Sequence, residues 1–303
     1  MEKMAEYSLV AGIMALGLGL LCYVAGYVIA RVAVTHSRLA TAGAAAGGGD
    51  GSLGIGGGSG AQLGANLAGY GTLFAWLSLA FLTASLIFRT IHTGHGPFAN
   101  MYEFSVAFAW GALGAYLVFD RRYHLRTLGL VVLPIALLLL VYATTLSSAA
   151  EPLVPALQNN FLLTIHVAVA IVAYGSFTIA FGAALLYLIQ PAEGRRGLPR
   201  PEILDEISYR AVIVGFPFLT LVIVLGALWA EVAWGTYWNW DPKETASLVT
   251  WLIYGAYLHS RVVRGWQGRR SAWLMLLGFG ATLLTYFGNY FFGGLHSYAG
   301  LGS

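Results

Sequence analysis

WGTYWNWDPKETASL, from Trp234 to Leu248, sets three tryptophans, a tyrosine and an Asp-Pro-Lys-Glu cluster between two long apolar runs. The segment is too polar, and too interrupted by Pro242, to cross a bilayer. It is also far more aromatic than an ordinary solvated loop, and Trp and Tyr favour the headgroup level, where an apolar ring meets water. It therefore reads as an aromatic platform lying at a membrane surface, with a plain interfacial anchor as the alternative.

The rest of the chain agrees with a membrane setting. Apolar residues make up 58% of the sequence and charged ones 10%, too few to cover a water-soluble surface. Crossing a hydrocarbon core takes roughly 20 helical residues. Runs of about that length fall near 8–32, 69–91, 101–119, 127–146, 161–190, 211–231, 246–263 and 272–292. The expected fold is all-α, a polytopic transmembrane helix bundle of about eight spans. Pro134 and Pro217 fall inside the fourth and sixth, where neighbours must satisfy the freed carbonyls. Ala42 to Ala65 is a Gly/Ala/Ser tract with nothing to bury and is expected to be a flexible linker. The chain thus divides into 1–68, a first transmembrane helix with its cytoplasmic linker, and 69–303, the main transmembrane domain carrying the Trp-rich segment at 229–245.

Charge orients the spans. With the N-terminus outside, thirteen arginines (Arg31, Arg38, Arg121, Arg122, Arg126, Arg195, Arg196, Arg200, Arg210, Arg261, Arg264, Arg269 and Arg270) fall on the cytoplasmic side, and only Lys3, Arg89 and Lys243 on the other. Both termini and the platform are then external. The slight positive balance is explained by these short loops and gives no reason to expect nucleic acid. The start, MEKMAEY, lacks the basic region of a signal peptide, so no cleavage is expected. Cys22, the single cysteine, can form no intrachain disulfide.

The topology sorts the seven histidines. His166 lies one to two turns into the fifth span and His296 just past the eighth, both at the depth of the platform. An ionisable group inside a span is costly unless it lines a polar cavity or binds something. Two neutral imidazoles suit the axial positions of haem iron, and Trp234, Tyr237, Trp238 and Trp240 suit the walls of a flat macrocycle. The ring faces, more than the Lys243 charge, are expected to hold such a disc. Asp241 either caps the seventh span or touches a ligand. His259 stands about 21 Å along the same helix from Thr245, too far to share an iron with the outer pair, and is either interfacial or an inner ligand. His92 and His95 read as loop residues first, His124 as a member of a solvated charge cluster, and Glu103 as a partner for Arg89.

The WGTYWNWDPKET string resembles the "WWD" signature of the haem-handling membrane proteins of cytochrome c maturation. GPFANMYEF at 96–104, EPLVPALQNNFLLTIHVAVA at 151–170 and GGLHSYAG at 293–300 extend the likeness, so it covers most of the chain from about Arg89 onward. It is most similar to the CcsA/ResC-type subunits of the system II cytochrome c synthase. One departure is Ala246, where members commonly carry a further Trp. The resemblance implies that His166 and His296 ligate haem b at an external site and that Trp234, Tyr237, Trp238, Trp240 and Asp241 surround it. It implies that His259 serves an inner haem site with a histidine of a CcsB/ResB-type partner subunit. It further implies part of a holocytochrome c synthase (haem lyase) complex in a bacterial cytoplasmic membrane, facing the periplasm. There haem would be joined to the Cys-x-x-Cys-His segment of an apocytochrome c, and no residue here looks like a dedicated catalytic acid or base. The alternatives are a system I-type haem-delivery protein, disfavoured by the eight spans and the LHSYAG tail, and a haem transporter or electron-transfer subunit without synthase activity.

Overall fold

Apolar runs bounded by glycine, proline and capping residues fold here as helices, because only a helix satisfies its own backbone in hydrocarbon. The computed structural model describes residues 1–46, 56–150, 153, 157–158, 160–191, 193–194 and 197–297. Within them run eight α-helices: α1 Glu2–Ala46, α2 Gly56–Thr93, α3 Met101–Tyr123, α4 Gly129–Thr144, α5 Asn160–Leu188, α6 Pro201–Trp234, α7 Pro242–Arg264 and α8 Arg269–Phe291. Asn100 caps α3 by accepting from the Glu103 amide at 2.9 Å, and His124, expected in a solvated charge cluster, ends it in the left-handed region at φ 53°. Pro134 and Pro217 stay inside continuous helices.

Several helices outrun the apolar segments that define the spans, α1 and α2 most of all, because helical bonding does not depend on the apolar run that marks a span. Among the described residues, seven helices are long and apolar enough to span a membrane. The eighth, α7, is not: Lys243, Glu244, Arg261 and Arg264 occupy its ends, and hydroxyls lie on its inner side. It is held within the bundle by α6 and α8, and Thr250 pairs with Thr285 of α8 at 3.1 Å.

The flexible linker expected at Ala42–Ala65 is corrected at both ends, where the backbone is helical; 47–55, like Arg195 and Arg196, lie outside the described residues. The small residues of this tract do bury something, namely backbone. A Cβ at Gly26 would stand 2.8 Å from the Gly64 carbonyl, and one at Gly60 would stand 2.9 Å from the Ala33 Cβ. Such close approach is how helices adhere where apolar burial gives no preference for helix over lipid. α1 is joined to the main core as well, since Leu9, Leu16 and Tyr23 share one buried cluster with Tyr116, Phe177 and Tyr254.

The up-and-down order gathers the end of α2, the start of α3, the end of α4, the start of α5, the end of α6, the start of α7 and the end of α8 on one side. The expected Arg89–Glu103 pair forms there. Arg89 Nε donates to Glu103 Oε1 at 2.8 Å, and both side chains are buried. The remaining guanidinium nitrogens donate to the Ser148 and Ala149 carbonyls at 2.7 and 3.3 Å, while Glu103 Oε2 accepts from the Ala99 amide at 2.8 Å. One charge pair thus ties α2, α3 and the segment after α4 together.

Candidate functional site

At the same end a cavity of about 110 Å³ is walled by α3, α5, α6, α7, α8 and the Trp-rich loop. α5 supplies His166, whose ring rests on Gly226 of α6: a Cβ there would stand 3.0 Å from the imidazole Cε1. Glycine at 226 is therefore what lets the ring sit between the two helices. His166 Nδ1 is buried and has no hydrogen-bond partner among the described residues, a costly arrangement for a group that binds nothing.

His296, in the turn after α8, lines the same cavity. Its Nδ1 donates to Asp241 Oδ2 at 2.8 Å, and Asp241 also accepts from the Leu295 amide at 2.6 Å and the Lys243 amide at 3.1 Å. Asp241 is thus the N-cap of α7 and the clamp that holds the C-terminal turn against it. Glu244 completes the capping box by accepting from the Asp241 amide at 3.2 Å and also from the Asn239 amide at 2.8 Å. Gly294 is pressed so closely on Asp241 and Pro242 that any Cβ would collide with them. Burial favours a neutral Asp241 carboxyl, but the hydrogen bond from His296, with those from the Lys243 and Leu295 amides, outweighs it and holds the group below the usual carboxylate range. Burial pushes the His296 imidazole down, against the Asp241 carboxylate. A neutral imidazole whose Nδ1 is bonded to a carboxylate is oriented to ligate through Nε2.

The aromatic residues divide. Tyr237 and Trp238 line the cavity, whereas Trp240, at φ 55° and 69% exposed, stands edge-on to Trp238 and faces outward. Trp234 packs its edge on His296 with ring centroids 4.9 Å apart. Behind it is Trp229, 2% exposed, 4.8 Å from Trp234 and 5.8 Å from His296, which also lines the cavity. Sequence reasoning placed Trp229 at the edge of the platform but gave it no role, because it reads as the apolar end of a span and no local pattern sets it apart. Phe104, which ends the GPFANMYEF segment, completes the wall with Phe108 and Tyr286 of α3 and α8, which carry no local signature.

His259 is exposed on α7 and does not reach this cavity. His92, expected in a loop, is instead in the last turn of α2, its Nε2 3.7 Å from Glu2 Oε2, while His95 is in the loop that follows, its Nδ1 2.8 Å from the Gly96 carbonyl; neither lines the cavity. Among the described residues no three His, Cys, Asp or Glu side chains are grouped to hold a bare metal ion. Two imidazoles on one aromatic-walled cavity suit instead a metal that brings its own equatorial ligands, as haem does.

Comparison with known proteins identifies the family of the chain. The family described as "Cytochrome C assembly protein" matches residues 98–296, from the loop before α3 to the second cavity histidine. The cytochrome c biogenesis protein CcsA of Guillardia theta is 38% identical over 263 residues, covering 77% of this chain and 86% of that protein. CcsA of Gloeobacter violaceus is 35% identical over 293 residues, with 76% and 86% covered. Among solved structures, the cytochrome c haem lyase CcmF shares the fold with a TM-score of 0.58 at 20% identity, covering 92% of this chain and 46% of that one. The chain belongs to the cytochrome c assembly protein family, as a multi-span membrane protein of cytochrome c biogenesis.

Proposed function

We propose that the chain is the haem-handling subunit of a membrane cytochrome c synthase, carrying haem b to the outer membrane face and presenting it for attachment to an apocytochrome c. The observation that carries the reading is the meeting of His166 and His296, from helices distant in sequence, on one cavity beside Trp229, Tyr237 and Trp238. His166 and His296 hold the iron, the aromatic rings hold the macrocycle, and Asp241 orients His296. Each thiol of a Cys-x-x-Cys-His segment then adds across a vinyl group. Sulfur bonds one vinyl carbon, the thiol proton ends on the other, and nothing is oxidised. The chain's contribution is position, which needs no acid or base of its own.

The chain acts with a CcsB/ResB-type membrane subunit in the bacterial cytoplasmic membrane, its cavity toward the periplasm, a placement supported by the thirteen-to-three charge asymmetry. His259, exposed on α7, forms an inner haem station with a histidine of that subunit. The test is to express the complex with an apocytochrome c and measure haem per complex and covalent haem on the cytochrome. The wild type should carry haem and assemble the cytochrome; a complex that accumulates no haem would overturn the reading. His259→Ala should lower both readouts from endogenous haem, and added haem should restore assembly. Unchanged assembly without added haem would leave His259 as an interfacial residue.

The aromatic wall makes a second expectation. Trp238→Ala removes a ring that faces the cavity and should weaken haem retention roughly tenfold. Trp240→Ala removes a ring that faces outward and should stay within about twofold of the parent. Equal losses, read from haem release to an apo-acceptor, would assign the loop to folding instead.

A further inference from the structure

Lys243 brings into the cavity a charge that axial ligation and ring packing leave unused. It lies in the first turn of α7, and among the described residues it is the only Lys or Arg lining the cavity. Its Nζ stands 5.7 Å from the centroid of the Phe104 ring. The nearby carboxylates are engaged elsewhere: Asp241 with His296, Leu295 and the Lys243 amide, and Glu244 with the amides of Asn239 and Asp241. Lys243 forms no ion pair among the described residues. An ammonium held over an aromatic face in an apolar cavity is well placed only if an anion joins it.

Resting on the haem reading, we propose that Lys243 binds a propionate carboxylate of the haem and so fixes the rotation of the macrocycle about the His166–iron–His296 axis. Two axial ligands set the plane of the ring but leave it free to turn. Aromatic walls are tolerant of that rotation, since every edge of the disc is flat and mostly apolar. A cation at one side of the cavity breaks the symmetry, because the two propionates share one edge of haem b. Once that edge is anchored, the positions of both vinyl groups follow, and with them the direction from which thiols must approach.

The test is to titrate the detergent-solubilised full chain with haem b and with its propionate dimethyl ester, following the low-spin visible spectrum. The wild type should bind haem b about tenfold more tightly than the ester. Lys243→Met and Lys243→Gln should bind the two alike while keeping the low-spin spectrum, and Lys243→Arg should keep the preference. A wild type that does not distinguish them, or charge-free variants that keep the full preference, would overturn the assignment. So would variants that lose both ligands in equal measure, which would make Lys243 structural. A wild type with no low-spin spectrum for either ligand removes the haem reading, and this inference with it.

Discussion

Replacing His166 with glycine should strip the low-spin haem spectrum from the purified chain, and added imidazole should restore part of it. The glycine leaves a space shaped for an imidazole between α5 and α6, because Gly226 already makes room for the ring. No hydrogen bond of His166 Nδ1 among the described residues is lost in the exchange, so helix packing should survive and the effect should report ligation. His296→Gly should behave likewise. The orienting carboxylate gives an internal scale: Asp241→Asn, which keeps the cap but weakens the hold on His296, should cost roughly 10–100-fold in haem affinity. Each histidine replacement should cost more than that. If both single variants keep the parent spectrum, the axial assignment is wrong.

Glu103→Ala should be the most destabilising single change among the charged residues, by about 3–5 kcal/mol. It leaves the Arg89 guanidinium buried with only the Ser148 and Ala149 carbonyls as partners, and it frees the Ala99 amide in the turn before α3. Removing both charges together, as in Arg89→Leu with Glu103→Leu, should cost clearly less, because no charge is then left unpaired in an apolar setting. Thermal unfolding in detergent, followed by loss of helical signal, measures both. A Glu103→Ala variant within about 0.5 kcal/mol of the parent would show that water reaches the pair.

The corrections to the sequence reading have a common origin. Ala42–Ala65 reads as a linker because its residues bury little side chain, yet Gly60 and Gly64 fold into α2 by bringing backbones together. α7 reads as a span but misses the apolarity of the other seven, since its polar groups are shielded by α6 and α8 rather than by length in lipid. Trp240 looks equivalent to Trp238 in the string WNWD, but a left-handed backbone at φ 55° turns it out of the cavity. Trp229 looks like the end of a span and proves to be the floor beneath His296.

By itself the sequence determined that the chain is helical and membrane-spanning, which end carries the charge, that His166 and His296 share a depth, and which family the Trp-rich segment resembles. Each of these depends on hydropathy along one dimension, where transfer between water and hydrocarbon is large and local. Only the tertiary structure decided which faces of the helices meet: the clamp from Asp241 to His296, the seat of His166 on Gly226, and Lys243 turned toward Phe104. In water an apolar stripe marks the buried face of a helix. In lipid both faces are apolar, so rotation about the helix axis is set by small-residue contacts and scattered polar pairs between distant segments, and no local pattern carries it.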